Sequence, residues 1–267
     1  MSQPAKTIAF FGATGGCALT ALEHSLRAGY HCAALVRSGD KLKGMLSRTT
    51  PTTSLRIVEG DATNPQSVRD VLVDPTTNAV VDSLVYGLGY RPTTNNPLTW
   101  KFTTPTLCED TTRLIMQTLE DLRPAVPPFA TFISTTGTDH SGDVPTLMTP
   151  FYHYSLKVPH ADKAKMEEVV YAARDKGAIR DWLIVRPSLL TDGEATHGQT
   201  KIGFEGSDKK ELKSELNLSE GGCGWRSVNG LAVGYTICRK DVGAFVFEEG
   251  VFNGGEKFKG KKVRLTH

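Results

Sequence analysis

The sequence predicts an α/β fold: a doubly wound parallel Rossmann-type sheet with helices on both faces and a small C-terminal subdomain on the substrate side. Three observations predict it. Short apolar runs rich in strand formers recur along the chain, each about the length of a strand buried on both faces. Segments with apolar residues at helical spacing alternate with these runs, in the order a right-handed, doubly wound sheet requires. The first such unit, Thr7 to Arg37, reads TIAFFGATGGCALTALEHSLRAGYHCAALVR. It joins strand, glycine turn, helix and strand at the length of a βαβ unit.

Within that unit Thr7–Phe11 is the first strand and Gly12 leaves it sharply. Gly15 and Ala18 follow at the spacing G-x-x-G-x-x-A. Leu19, Leu22 and Leu26 then mark a helix that Gly29 stops. A dinucleotide diphosphate must approach the backbone amides at the first turn of such a helix. Side chains at Gly12 and Gly15 would block it, and Ala18 lets the helix pack tightly on the strand. Gly12, Thr14, Gly15 and Gly16 are therefore expected to hold a dinucleotide; the plainer alternative is a glycine turn that only connects strand to helix. The second strand, Tyr30 to Val36, ends in Arg37-Ser38-Gly39-Asp40-Lys41. A carboxylate first in that position would bind the ribose 2′-hydroxyl of NAD, whereas the Arg37 guanidinium meets a 2′-phosphate, with Ser38 and Lys41 nearby. NADP(H) is the expected cofactor, and Asp40 reaching a ribose is the alternative.

A chain of 267 residues, 39% hydrophobic and 22% charged, suffices for one sizeable α/β domain with an elaborated ligand-binding end. Residues 1–188 are expected to form the dinucleotide-binding domain, 189–236 a substrate-side insertion or lid, and 237–267 a helix and strand that complete the same domain. The net charge of +2 balances 31 basic against 29 acidic residues, which argues against nucleic acid or an anionic membrane as partner and for a small molecule. The five cysteines, at 17, 32, 108, 223 and 238, have wide spacing and no C-x-x-C pair, so neither a disulfide framework nor a metal site is expected. Cys17 and Cys32 read as packing residues. No long apolar run precedes the first strand or approaches membrane-spanning length, so a cytoplasmic protein is expected; a monomer or homodimer is the expected state.

Further along, an amphipathic segment covers Asp40 to Leu46, and the third strand runs from Leu55 to Asp61. Asp61 and Ala62 fall at its carboxyl end, which faces the cofactor in an open parallel sheet. Asp61 there has two readings, a partner of the adenine amino group or an N-cap for the helix beginning near Asn64-Pro65. The fourth strand, Ala79 to Tyr86, ends in Gly87-Leu88-Gly89, whose small residues allow close approach to the cofactor's adenosine ribose and diphosphate. The long stretch from Arg91 to Pro105, carrying Trp100 and Phe102, has no periodicity of its own and reads as substrate wall. A helix over Thr106 to Leu122 and a strand over Phe129–Ile133 lead to Ser134-Thr135-Thr136-Gly137-Thr138. These hydroxyls either lie beside the nicotinamide ribose and orient a substrate oxygen or serve as turn chemistry. A helix from about His160 to Asp175, a strand over Asp181 to Val185 and then Pro187 follow. Leu189 to Arg226 is polar and glycine-rich, Gly230 to Ile237 reads as a returning strand, Asp241 to Glu249 as a helix and Lys262 to Thr266 as the last strand. Tyr152 and Trp225 join Thr135, Thr136 and Trp100 as candidate substrate contacts.

The pieces FFGATGG, LVRSGDKL, EGDAT, ISTTG, HADKAKMEE, WLIVRPSLLTDG and RKDVGAFVFEE resemble the NAD(P)H-binding, NmrA-like branch of the atypical short-chain dehydrogenase/reductase superfamily, over nearly the whole chain. The resemblance implies a Rossmann fold and a nicotinamide cofactor bound by Gly12, Thr14, Gly15, Gly16, Arg37, Asp61, Ala62, Leu88, Gly89, Ser134, Lys163 and Pro187. Members of the branch include reductases, isomerases and cofactor-sensing regulators. The superfamily's usual catalytic pair is Tyr-x-x-x-Lys. Lys163 matches the lysine by its place in the helix after the fifth strand, but four residues earlier stands Pro159, so the tyrosine is missing. Tyr154 and His160 are the substitutes within reach; the alternative is that the tyrosines pack their loop and His160 faces solvent. Asp162 and Glu167 read as solvated helix charges, with a pairing of Glu167 to Arg186 as the other option. The implied function is an NADPH-dependent reductase of a carbonyl or activated double bond. A non-redox isomerase or cyclase on the same pocket and a cofactor-ratio sensor are the alternatives.

Overall fold

The computed structural model describes residues 6–90, 94, 102, 104–139, 142–196, 200–205, 225–228 and 230–267. Its strands are β1 Thr7–Phe11, β2 His31–Val36, β3 Leu55–Glu59, β4 Ser83–Tyr86, β5 Phe129–Ile133, β6 Asp181–Pro187, β7 Leu189–Thr191, β8 Lys201–Gly203, β9 Arg226–Ser227, β10 Thr236–Cys238 and β11 Lys261–Thr266. Its helices are α1 Gly16–Arg27, α2 Gly39–Met45, α3 Pro65–Leu72, α4 Leu107–Leu122, α5 Thr149–Ser155, α6 Lys157–Asp175 and α7 Arg239–Phe245. The last continues as a π-helical turn over Val246–Phe252.

Among the described residues one sheet has the order β3-β2-β1-β4-β5-β6-β11-β8-β9. It is parallel from β3 to β11, and β8 runs antiparallel to β11. The strand order reverses direction between β1 and β4, so the carboxyl ends of these neighbours open the crevice where α/β sheets bind ligands. β4 is buried along its whole length, because helices cover both faces. On one face α1, α7 and the π-helical turn pack over Phe10, Val85, Val263 and Leu265. On the other, α3, α4 and α6 pack over Phe11, Leu84, Phe132 and Ile184. β11, from the end of the chain, lies directly beside β6, and β7 and β10 form a separate two-stranded parallel sheet.

Local side-chain chemistry explains the starts of α2 and α3. Ser38 caps α2 by accepting from the Lys41 amide at 3.3 Å. Asn64 caps α3 by accepting from Gln66 N and Ser67 N, with Pro65 at the first helical position. The N-cap reading of Asp61 thus passes to Asn64. β4 starts at Ser83 rather than Ala79, because Val80 instead bridges to Val73 in an isolated antiparallel pair. Helix α6 begins at Lys157, three residues earlier than expected. Pro159 falls in its first turn, where amide hydrogens have no intrahelical acceptor and none is lost. The stretch around Tyr154 is helical, not a loop. The returning strand is short, Thr236–Cys238, and pairs with β7.

Helices α1 and α7 cross at Gly243, where a Cβ would lie 2.5 Å from both Cys17 O and Thr20 Cβ. Gly243→Ala is expected to force the helices apart and to destabilise the fold by about 1–3 kcal/mol in urea unfolding. A change below about 0.5 kcal/mol would show that the crossing tolerates a methyl group.

Candidate functional site

The site begins where β1 passes into α1. Gly12 has φ of +81°, and a Cβ there would sit 2.7 Å from the Gly87 carbonyl carbon and 2.8 Å from Leu88 N. The glycine turn therefore crosses directly over the end of β4, in a backbone conformation that side chains resist. Gly15 N donates to Gly12 O at 2.8 Å, closing the turn. Helix α1 then starts with no side-chain cap and no acidic residue in its first turn. Its N-terminal amides and positive dipole end suit an anionic group such as a diphosphate. A Cβ on Gly87 would lie 2.8 Å from the Ala18 Cβ, so the small residue at Ala18 does serve close packing. This cradle fits a dinucleotide.

At the ends of β2 and β3, Arg37 is exposed. Asp61 accepts from Thr63 N at 2.9 Å and from Thr63 Oγ1 at 2.7 Å. These hydrogen bonds hold its carboxyl below the usual carboxylate range, and the charge of Arg37 adds to the effect. Glu59, a residue the sequence did not single out, accepts from Gly39 N at 2.6 Å at the start of α2.

Lys163 lies at the meeting of two strand ends. Its Nζ donates to Leu88 O and to Ile133 O, each at 2.8 Å, and stands 5.3 Å from the centroid of the Tyr86 ring. The ammonium is thus anchored at the carboxyl ends of β4 and β5 although it sits on α6. Asp162 is not a solvated charge. It is buried, accepts from Cys108 N at 2.7 Å, from Glu109 N at 2.8 Å and from the Tyr90 hydroxyl, and so caps α4 from a different helix. Burial, reinforced by the Asp162 hydrogen bond, pushes the Tyr90 phenol above its ordinary pKa.

Glu167 is also buried, and it pairs with Arg186 through Nε at 3.0 Å and Nη2 at 2.5 Å. Ser134 Oγ donates to Glu167 Oε1 at 2.6 Å, which uses its one hydrogen and leaves its oxygen to accept. Arg186 Nη1 reaches Asp139 Oδ2 at 2.5 Å. Arg264, the cross-strand neighbour of Arg186 on β11, donates through Nε to Asp143 Oδ2 at 3.0 Å. Burial alone would lower the Arg186 pKa, but its hydrogen bonds to Glu167 and Asp139 more than reverse this and hold it above the ordinary value. Asp143 Oδ1 accepts from Gly137 N at 3.0 Å, and Thr136 N donates to Pro187 O at 3.1 Å. Thr136 and Gly137 are therefore each held through the backbone amide, with Thr135 half-buried beside them.

The remaining candidates scatter. Tyr154 is 79% exposed on α5. His160 is buried rather than solvent-facing, and burial pushes its pKa down to about 4 against the opposing pull of Asp143. At neutral pH it is an uncharged imidazole. Trp225 is buried on the α1 and α7 face, edge-on to Phe245 with ring centroids 5.4 Å apart, and donates to Glu248 Oε2 at 3.1 Å. It is a core residue, so it leaves the candidate substrate contacts. Trp100 and the Tyr152 side chain lie outside the described residues. The Cys17 and Cys32 thiols are buried, and burial pushes both up to about 12, as packing residues require. No helix among the described residues is long and apolar enough to cross a membrane.

The profile of a family described as NAD(P)H-binding matches residues 12–215, from the first glycine of the turn onward. The chain belongs to the NAD(P)H-binding family. Two relatives span the whole of this NAD(P)H-binding protein. Reductase pytE of Aspergillus terreus is 39% identical over 282 residues, covering 100% of each chain. Oxidase pynE of Aspergillus niger is 36% identical over 300 residues, covering 100% of this chain and 99% of its own. Among solved structures, a short-chain dehydrogenase/reductase from Veillonella parvula in complex with NADP superposes with a TM-score of 0.65 at 13% identity, covering 99% of this chain and 95% of its own. A putative NAD-dependent epimerase/dehydratase from Bacillus halodurans gives 0.62 at 17% identity, over 98% and 94%. These structures share the fold. The family match and the two full-length relatives support oxidoreductase chemistry with a nicotinamide cofactor.

Two outcomes follow from the buried charges. His160 titrates near its ordinary 6.5 when unfolded and near 4 when folded, so its burial is without cost above pH 6.5 and costs up to about 3 kcal/mol as the pH falls to 4. Between pH 7 and pH 4 the stability of His160→Gln relative to wild type is expected to improve by about that amount in urea unfolding; a pH-independent difference would contradict it. Asp162→Ala is expected to cost about 2–4 kcal/mol, because a buried amide and a part-buried amide of α4 and a phenol lose their acceptor, and a loss under 1 kcal/mol would show that water replaces the cap.

Proposed function

We propose that this protein is an NADPH-dependent reductase acting on a carbonyl or activated double bond of a small, partly apolar organic molecule. The observation that carries the reading is Lys163, whose ammonium is fixed by Leu88 O and Ile133 O at the carboxyl ends of β4, which adjoins β1 and its glycine turn, and of β5 beyond it. A cation there can hydrogen-bond a ribose hydroxyl by exchanging one carbonyl partner for it, at little reorganisation. Gly12, Thr14, Gly15 and Gly16 would take the diphosphate, Asp61, Ala62, Leu88 and Gly89 the adenosine half, and Ser134, Lys163 and Pro187 the nicotinamide half. Arg37, exposed beyond β2, supplies a fork of donors for a 2′-phosphate and is the ground for preferring NADPH over NADH.

When bound, NADPH supplies a hydride. The chain's own residues orient and solvate. Thr135 and Thr136, on the segment anchored by Asp143 and Pro187, present polar groups toward an acceptor oxygen. His160 is neutral at pH 7, so it hydrogen-bonds and does not act as an imidazolium acid, which leaves Tyr154 or water to deliver the proton. The proposal carries with it a small-molecule substrate, no nucleic-acid or membrane partner, a cytoplasmic location and a monomeric or homodimeric state. A second reading, a non-redox isomerase or cyclase, is favoured by Pro159 in the place of the usual tyrosine; such a reaction transfers no net hydride to a carbonyl and so does not call for the phenol that protonates its oxygen.

Calorimetric titration tests the cofactor choice. NADPH is expected to bind wild type at least about tenfold more tightly than NADH, and Arg37→Ala to abolish the difference. Equal affinities in wild type would remove the NADPH preference. Oxidation of NADPH in the presence of aldehydes, ketones or enones separates the reductase from the isomerase or cyclase, which consumes no NADPH.

A further inference from the structure

Gly16 is the first residue of α1, and a Cβ on it would lie 2.7 Å from Arg239 Cδ and 3.3 Å from Arg239 Cβ. The stem of Arg239 therefore rests on the first turn of the helix that would cradle the diphosphate, and its guanidinium begins one bond beyond the touching carbon. Arg239 opens α7, which the Gly243 crossing locks against Cys17 and Thr20. The arginine is thus held over that turn by a rigid helix pair. The same placement puts its charge near the buried Cys17 thiol, where it opposes the rise in pKa that burial causes.

The guanidinium's recorded partner is Asp192 Oδ1, at 2.8 Å from Nη1; Asp192 is 92% exposed and Arg239 33%. A pair so open to water is weak. A guanidinium carries five N–H donors, and one carboxylate oxygen leaves others for a further acceptor. Helix amides supply partial positive charge at a diphosphate, and a guanidinium beside them adds a full charge and a fork of donors for the phosphoryl oxygens.

We propose that Arg239 is a diphosphate-binding residue, closing over the first turn of α1 from the side of α7. This rests on the dinucleotide site but not on the preference for NADPH, because NADPH and NADH share the diphosphate.

The test is a calorimetric titration of wild type, Arg239→Gln, Arg239→Lys and Asp192→Asn with NADPH, NADH and adenosine 2′-monophosphate, which has no diphosphate. Arg239→Gln is expected to weaken whichever dinucleotide wild type binds by about tenfold and to leave adenosine 2′-monophosphate unchanged. Arg239→Lys, which keeps the stem over Gly16 and the charge, is expected to lose about threefold, and Asp192→Asn less than twofold. Unchanged dinucleotide affinity in Arg239→Gln overturns the proposal. So does an equal loss for adenosine 2′-monophosphate, because that would mark a damaged α1–α7 pair instead of a missing diphosphate contact. A wild type that prefers NADH refutes the NADPH preference alone, and the effect of Arg239→Gln is then read on NADH.

Discussion

Arg186 and Arg264 stand side by side on β6 and β11, 2% and 0% exposed, and the carboxyl edge depends on how their charges are neutralised. Two uncompensated guanidinium groups in a sheet interior would be prohibitive, and removing one partner of such a pair costs about 3–5 kcal/mol. The carboxylates come from elsewhere in the chain, Glu167 from α6 and Asp139 and Asp143 from the segment after β5. Neutralising the strands thus dictates where a helix and a loop must lie. Glu167 follows Lys163 by one helical turn, so the ion pair that satisfies Arg186 also sets the rotation of α6 that brings Lys163 to Leu88 O and Ile133 O. Asp143 holds Gly137 in the same way and positions the hydroxyl segment beside it.

The opposite face of the sheet is organised by close packing instead of charge. The turn at Gly12 passes over Gly87, and α7 crosses α1 at Gly243. Here the missing side chains permit contact distances that no other residue allows. The cradle for a dinucleotide lies where these two constructions meet. A backbone turn set by glycine packing faces a lysine set by a buried ion network, and neither depends on the local sequence of the other.

That division explains what could be read from the sequence. The spacing of Gly12, Gly15 and Ala18 is local, so the strand, turn and helix of the first unit were legible, as was the alternation of strands and helices that followed. Lys163 was legible by its position after the fifth strand. Asp162 was not, because its partner Cys108 lies 54 residues away, and an acidic residue on a helix looks solvated until its neighbour in space is known; for Glu167 the sequence offered the pairing with Arg186 beside the solvated reading, and the structure has the pair. Trp225 illustrates the same limit: an aromatic in a polar stretch suggested a pocket wall, whereas its ring fills the core against Phe245. Helix α5 escaped notice because Pro150 and the aromatics around it obscure its periodicity. The Arg239 contact with Gly16 joins the two ends of the chain and leaves no trace in either motif. His160 was visible as a titratable residue, but only its burial reveals that it is neutral.

The most direct measurement is hydrogen exchange of the intact protein with and without NADPH. A dinucleotide at the carboxyl edge is expected to slow exchange in the Gly12–Ala18 turn, at Leu88 and Gly89, and across Ser134 to Thr138, while β1 and β4 stay protected in both states. Protection confined to other surfaces, or none at saturating NADPH, would contradict a nicotinamide cofactor held between the glycine turn and Lys163.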